Sequence, residues 1–250
     1  MIRTKDSHME AHLTQRFCLE GQSERKPRMA GFFCLWVFWT FLSPVDAWMQ
    51  DTTPYYLTVE SSEAVGDGGT VYRFYANASD PTDQISAVFG TNEYNLVVNT
   101  PEGVWNSPAN TSWNALGINP AFVGFFPDLV DDSYATIGLT GPASASGITG
   151  AVDPSLVEDE SLSPGISGFF LNGGTSLNVN TLLGGSWYVL NTAANSYPVD
   201  GRWLIMQVTT TGSISGRVNY QIFPLGVGED QVIVSLEFDG IGNFGLQPEA

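Results

Sequence analysis

Short runs of alternating apolar and polar residues recur along the chain from residue 55 onward. The clearest run places Val232, Val234 and Leu236 on one face of an extended segment, and Ser235 and Glu237 on the other. Glycine, proline, asparagine and aspartate cluster between such runs, which is the pattern of strands joined by turns. Strands are predicted at Tyr55–Glu60, Thr70–Ala76, Ile85–Phe89, Leu96–Asn99, Tyr134–Leu139, Phe169–Leu171, Leu177–Asn180, Trp187–Leu190, Trp203–Thr209, Val218–Phe223 and Gln231–Phe238.

The predicted strands define the fold class. No stretch keeps a sustained helical period, and 27 Gly with 14 Pro disfavour long helices. Many short strands separated by turns are typical of antiparallel two-sheet proteins. We therefore predict an all-β fold, an antiparallel β-sandwich of jelly-roll or immunoglobulin-like type with two sheets over one core. One helical turn is expected within Pro120–Leu129.

Two long connections interrupt the strands. Asn106–Ser133 is rich in Asn and Pro and is expected to be an ordered loop, whereas Gly141–Gly165 is rich in Ser, Ala and Gly and is typical of a flexible connection. The domain is predicted at 51–245, with a two-half arrangement around 141–165 as an open alternative. The aromatic residues of the first connection are expected to pack down over a sheet end; they are Trp113, Phe122, Phe125 and Phe126.

The two halves share a short similarity. Leu96–Gly103 resembles Leu177–Gly184, and a tryptophan follows each segment closely, at Trp105 and Trp187. Either the segments reflect a duplication, or Asn-Thr followed by Gly is ordinary turn chemistry at the end of a strand. Two sheets over one core fit the pattern better than a tandem array, which needs more copies.

The first 47 residues differ from the rest of the chain. A basic group at 25–28 precedes the apolar run Met29–Leu42, and small residues follow up to Ala47. That order is typical of a secretory signal peptide, and fourteen apolar residues are short for a membrane span. We predict an N-terminal extension and signal peptide at 1–47 and a secreted protein with no membrane contact after cleavage. A retained signal anchor is the alternative.

Charge excludes one class of partner. The chain has a net charge of −17, and after Ala47 it keeps 21 acidic residues but three basic ones, Arg73, Arg202 and Arg217. Such a surface repels a phosphate backbone, so no nucleic-acid partner is expected. The expected partners are an extracellular protein or a polysaccharide.

The residue types of the exported part also restrict catalysis. Every His and Cys lies before Ala47, at His8, His12, Cys18 and Cys34. The remainder has no imidazole base, no thiolate and no His or Cys ligand for zinc. Glycoside hydrolysis by two carboxyl groups remains open. No carboxyl pair stands out, so no catalytic residue is assigned and the protein is expected not to be an enzyme.

Carboxylates and amides also suit calcium, which takes six to eight oxygen ligands. No segment has the spacing of an EF-hand loop. The fold is expected to require no cofactor, with calcium as an optional stabilising ion. The candidate ligands for calcium are Asp128, Asp131, Asp132, Asp80, Asp83 and Asp239.

Two further kinds of site have sequence signals. Trp105, Trp113 and Trp187 lie near predicted loops, where exposed indoles would stack on sugar rings, although packing in the core or as loop anchors is the more common use of large aromatic residues in sandwiches. Asn77 and Asn110 each begin an Asn-x-Ser/Thr pattern beside a predicted turn, which is the acceptor pattern for N-glycosylation.

Several segments resemble a known type of module. They are Val71–Ala76, Ala87–Gly90, Asp132–Gly138, Gly185–Leu190 and Met206–Thr210. Together they are similar to an uncharacterised extracellular β-sandwich module in large secreted proteins of marine bacteria and planctomycetes. The resemblance covers about 71–223 and implies a surface or secreted module, with no activity and no functional residue to transfer.

Two functional hypotheses follow. The first is a non-enzymatic secreted or surface module with a structural, adhesive or recognition role and with calcium as an optional stabilising ion. The second is a glycan-binding or glycan-hydrolysing protein that uses a carboxylate pair and exposed tryptophans. Turnover of glycans by the purified protein would exclude the first.

Overall fold

A computed structural model describes residues 54–245, which form two antiparallel β-sheets packed together. The predicted antiparallel β-sandwich is confirmed. The predicted extension and signal at 1–47 lie outside the described residues. The strands are β1 (Tyr56–Glu63), β2 (Thr70–Asn77), β3 (Gln84–Gly90), β4 (Leu96–Asn99), β5 (Tyr134–Ala135), β6 (Ser155–Glu158), β7 (Ser176–Val179), β8 (Gly185–Tyr188), β9 (Arg202–Thr210), β10 (Ser215–Phe223), β11 (Val232–Asp239) and β12 (Gly242–Phe244), and the helices are α1 (Pro120–Val123) and α2 (Ile166–Asn172).

The first sheet has five strands in the order β12, β1, β2, β9, β5. The second has seven, and β10 lies at its centre. One edge of β10 pairs with β3 and β4, which follow each other along it, while β11 pairs along the other edge. β8 and β6 extend the sheet beyond β3, and β7 extends it beyond β4. Among residues 54–245, neither helix is long and apolar enough to cross a membrane.

The core lies between the two sheets. Phe74 of β2 meets Phe238 of β11 edge to face, with ring centroids 4.9 Å apart. The indole of Trp187, in β8, reaches across and donates hydrogen bonds to the carbonyls of Thr136 and Ile205, both at 3.1 Å. Burying each large apolar side chain contributes about 1.5–3 kcal/mol, so these contacts between sheets stabilise the sandwich.

The chain is not divided into two halves at 141–165. β2 pairs with β9 and β3 pairs with β8 and β10, so strands from before and after this connection share both sheets. The connection itself contains β6, which pairs with β8. Buried Asn195 also fixes it, because its side-chain amide donates to the carbonyls of Ile137 at 2.7 Å and Val152 at 3.1 Å. The connection is therefore attached to the sandwich by strand pairing and by side-chain hydrogen bonds.

The two similar segments are partners in the fold. β4 and β7 pair antiparallel, with Leu96 opposite Val179 and Val98 opposite Leu177. All four side chains are buried. The two similar segments are thus neighbouring strands of one sheet. Each presents its apolar side chains to the core.

One predicted strand is a helix. Phe169–Leu171 lies within α2, where Phe169 and Phe170 are both buried. The carboxylate of Glu158 accepts hydrogen bonds from the amide and hydroxyl of Ser167 in the first turn of this helix. Gly173 ends the helix at a φ of +71°, a conformation that favours glycine. The predicted strand at Tyr134–Leu139 is also shorter than expected, at Tyr134–Ala135.

Candidate functional site

The connection between β4 and β5 is fixed to one end of the sandwich. The turn between β1 and β2 meets it there, because the amide of Gly66 donates to Oδ2 of Asp131 at 2.8 Å. The amide of Trp105 donates to the carbonyl of Thr209, near the end of β9, at 2.7 Å. The expectation that this connection is ordered agrees with these contacts.

Buried polar side chains attach the connection to β9. The side-chain amide of Gln207 donates to the carbonyls of Val130 at 2.9 Å and Asp132 at 2.7 Å. The hydroxyl of Ser133 accepts from the amide of Thr209 at 2.9 Å and donates to a carbonyl of the connection. Buried polar groups that are satisfied in this way rigidify the backbone that carries them.

Asp132 is the centre of this network. Its side chain is 1% exposed, and its Oδ1 accepts from the amide of Ser107 at 2.7 Å. The side chains of Asn106 and Asn110 also donate to its carboxyl group. Burial raises the pKa of Asp132 to about 6, although the hydrogen bonds from Asn110 and Ser107 oppose that rise. The carboxyl group therefore holds residues 106–110 in place.

A groove of about 580 Å³ lies on the outer side of the five-stranded sheet. Its walls are mainly apolar and include Ile118, Leu139 and Leu204. The charged residues Asp200 and Arg202 also line it. Concave, largely apolar sites with a few polar groups are the usual form of small-ligand sites.

Arg202 is held in one orientation at the groove. Its guanidinium lies 3.8 Å from the centroid of the Tyr75 ring and binds Oε1 of Glu60 at 2.5 Å. The hydrogen bond to Glu60 raises the pKa of Arg202. A guanidinium has five N–H donors, and the bond to Glu60 uses one of them.

Asp200 lies beside Arg202 because of a tight turn. Val199 and Arg202 exchange two backbone hydrogen bonds, at 3.0 and 3.1 Å, across Asp200 and Gly201. These two residues have φ values of +52° and +76°. Asp-Gly is a preferred sequence for a two-residue turn of this kind. The turn thus places an acceptor and a donor together at the groove.

A second hollow, here called the cleft, has a volume of about 530 Å³. It is lined by residues 107–109 and by Phe122, Phe126 and Asp128. Phe122 is 51% exposed and Phe126 is 48% exposed, and between them Phe125 is 80% exposed. The expectation that these rings pack down over a sheet end is therefore wrong.

Helix α1 forms a ridge between the groove and the cleft. Asn119 caps it by accepting from the amide of Ala121 at 2.9 Å, and Pro120 occupies the first turn. Pro120 and Val123 line the groove, whereas Phe122 lines the cleft. A single helical turn therefore presents side chains to both hollows.

The predicted calcium ligands fall in separate places. Asp131 accepts from Gly66, while Asp132 points to residues 106–110. Asp83 accepts from the amide of Asp80 at 2.9 Å, and Asp239 is exposed at the end of β11. Within residues 54–245, no group of three or more His, Cys, Asp or Glu side chains is arranged to hold a metal ion. Asp128 lines the cleft instead.

The tryptophan predictions divide. Trp187 is 0% exposed and forms part of the core, so its predicted display for sugar stacking is wrong. It is buried because the Trp side chain of β8 faces the opposite sheet. Trp113 is half-buried and packs against the same core, and Trp105 is also half-buried. Phe122, Phe125 and Phe126 of the same connection are instead exposed.

The predicted glycosylation sites are both occupied by protein contacts. Asn77 is buried at the end of β2, and its Nδ2 donates to the carbonyls of Tyr56 and Tyr75 and to the hydroxyl of Thr58. A glycan on that nitrogen would displace these contacts, so the fold contradicts glycosylation of Asn77. Nδ2 of Asn110 donates to Asp132, as described above.

Comparison with known proteins identifies no family. No protein-family model, curated protein or solved structure matches the chain. The resemblance to modules of large secreted bacterial proteins therefore stays a prediction. The two-sheet β-domain is the part of that prediction that the structure supports.

Proposed function

We propose that residues 54–245 are a non-enzymatic recognition domain of an exported protein, and that the groove binds a neutral glycan. The observation that carries this proposal is that Arg202 and Asp200 both line one mainly apolar groove. The predicted signal peptide at 1–47 supports export.

The polar groups of the groove suit sugar hydroxyls. A hydroxyl both donates and accepts a hydrogen bond, and Asp200 accepts while Arg202 donates. Glu60 and Tyr75 fix the guanidinium before a ligand arrives, which reduces the conformational entropy lost on binding. The apolar walls provide contact for the C–H face of a sugar ring.

The charges of the domain favour an uncharged ligand. Arg202 and Arg217 form ion pairs with Glu60 and Glu237, so two of the three cations after Ala47 are already neutralised. The large excess of acidic residues repels polyanions and anionic membrane surfaces.

Binding is favoured over cleavage by the environment of the carboxyl groups. Asp132, whose raised pKa would suit a proton donor, is buried and engaged with Ser107 and Asn110. Its oxygens hold a loop and do not line either hollow. We therefore propose recognition without hydrolysis.

The test is binding of the full-length chain to an array of neutral and acidic glycans. We expect signals on neutral glycans, and Arg202→Gln is expected to weaken them at least about tenfold, because bonds to a charged donor contribute about 1.5–3 kcal/mol. Arg217→Gln is the matched control, since it removes the guanidinium of an exposed ion pair away from the groove.

Three results would contradict the proposal. The first is absence of signal on every neutral glycan, and the second is equal binding by the Arg202→Gln and unsubstituted proteins. The third is release of new reducing ends from a bound glycan, which would show hydrolysis. Circular dichroism of both variants establishes that each retains the β-fold.

A further inference from the structure

We infer that the cleft is a second subsite for the same glycan, so that the ligand is an oligosaccharide lying across the ridge. This inference rests on the proposed function of the groove. It adds a specific expectation, which is that affinity depends on the length of the sugar chain and on Phe122 and Phe126.

The first argument is the continuity of the surface. Pro120 and Val123 line the groove, and Phe122, between them in the chain, lines the cleft. These residues belong to one helical turn whose outer side is exposed. A helix with its side chains is about 10–12 Å across, so a single sugar ring does not fill both hollows. A chain of several rings can cross the ridge between them.

The second argument is the chemistry of the cleft. Two half-exposed aromatic residues, Phe122 and Phe126, line a hollow that Asp128 also lines. Aromatic faces suit the C–H faces of sugars, and the carboxylate accepts from hydroxyls. No cation lines the cleft among the described residues, so it matches the neutral ligand inferred for the groove.

The third argument is that the cleft is formed before binding. Its lining residues 107–109 are held in place, because Asp132 accepts from the amide of Ser107 at 2.7 Å and Asn110 also donates to Asp132. Phe122 and Phe126 are joined through the backbone, because the amide of Phe126 donates to the carbonyl of Phe122 at 2.9 Å. A preformed site loses less entropy on binding than a mobile loop does.

The test uses the neutral glycan with the strongest array signal, prepared as fragments of one to six sugar units. Calorimetry with the full-length chain is expected to show affinity that rises with length until both hollows are filled. The double variant Phe122→Ala, Phe126→Ala is expected to weaken the long fragments about three- to tenfold and to leave the single sugar unchanged. Leu182→Ala is the control, since it removes another exposed apolar side chain that lines neither hollow.

The two proposals fail in different ways. If every length binds equally and Arg202→Gln weakens all of them, the groove binds glycan and the second subsite is refuted. The second subsite is also refuted if the phenylalanine variant affects the single sugar as much as the long fragments. If no neutral glycan binds the unsubstituted protein, the proposed function is itself refuted.

Discussion

The amide of Ser107 donates to Oδ1 of Asp132 at 2.7 Å, in a buried position below the cleft. An unfolded aspartate has a pKa of about 3.9, whereas burial raises that of Asp132 to about 6. The folded state therefore holds this proton more tightly than the unfolded state. The resulting stabilisation is complete below about pH 4 and is lost as pH rises through about 6.

Asp132→Asn is expected to remove this pH dependence. Two pKa units correspond to about 3 kcal/mol, which is the upper limit of the Asp132 contribution to the change in unfolding free energy between pH 4 and pH 7. Urea unfolding at several pH values measures it. Asparagine at 132 also places an N–H donor against the Nδ2 donor of Asn110, which lowers stability at every pH. The comparison therefore uses the slope of the unfolding free energy with pH and not its absolute value.

Glu229→Gln is the control for Asp132→Asn, because it removes one negative charge from an exposed position in another loop. It is expected to keep the pH slope of the unsubstituted protein. Equal slopes in the Asp132→Asn and unsubstituted proteins would show that Asp132 does not hold a proton in this range.

Tyr220 has a different kind of buried polar group. Its hydroxyl is buried and has no hydrogen-bond partner among the described residues, and burial raises its pKa. Tyr220→Phe removes a group that costs about 1–3 kcal/mol to leave unpaired. We expect the variant to be as stable as the unsubstituted protein or about 1 kcal/mol more stable in thermal unfolding.

Thr136→Val is the matched comparison for Tyr220→Phe. Thr136 is also buried, but its hydroxyl donates to the carbonyl of Leu139 at 2.8 Å. Removing that donor is expected to cost about 1 kcal/mol. A loss of stability in Tyr220→Phe equal to that in Thr136→Val would contradict an unpaired phenol.

The strands could be predicted from the sequence because their alternation is a local property. In β11, Val234 and Phe238 are buried, whereas Ser235 and Glu237 are exposed, as their alternation in the sequence predicts. The same rule failed at Phe169–Leu171, where three apolar residues show no alternation and fit a buried helix equally well.

The groove could not be predicted in the same way. Tyr75 and Arg202 are far apart in sequence and meet because β2 pairs with β9. The Asp-Gly pair at 200–201 signalled a turn but not what the turn would face. The exposure of Phe125 depends on how the whole connection lies on the sheet, and no local pattern determines that.

Calcium is tested by its effect on stability. Asp83 already accepts from the amides of Asp80 and Leu225, both at 2.9 Å, and from the amide and hydroxyl of Ser79, both at 3.0 Å. These donors occupy the oxygens that a cation would need. We expect the same melting temperature in excess chelator and in excess calcium. A clear rise with calcium would instead support the predicted ion.

At Gly216, the neighbouring backbone leaves no room for a side chain. It lies in β10 opposite Val98 of β4, at a φ of +155°, and a Cβ there would lie 1.9 Å from the carbonyl oxygen of Val97. Gly216→Ala therefore requires β4 to move away from β10, the central strand of the sheet. We expect a loss of about 3 kcal/mol or more in urea unfolding.

The comparison for Gly216→Ala is Gly228→Ala, since a Cβ at Gly228 meets no atom within 4 Å. Alanine there restricts the unfolded chain without a clash, so its expected effect is neutral or a gain of up to about 1 kcal/mol. Both variants replace one glycine by alanine, so the expected difference in their stability comes from the pairing of β10 with β4 at Gly216. Equal stability of the two variants would contradict the close approach of β4 to β10 at Gly216.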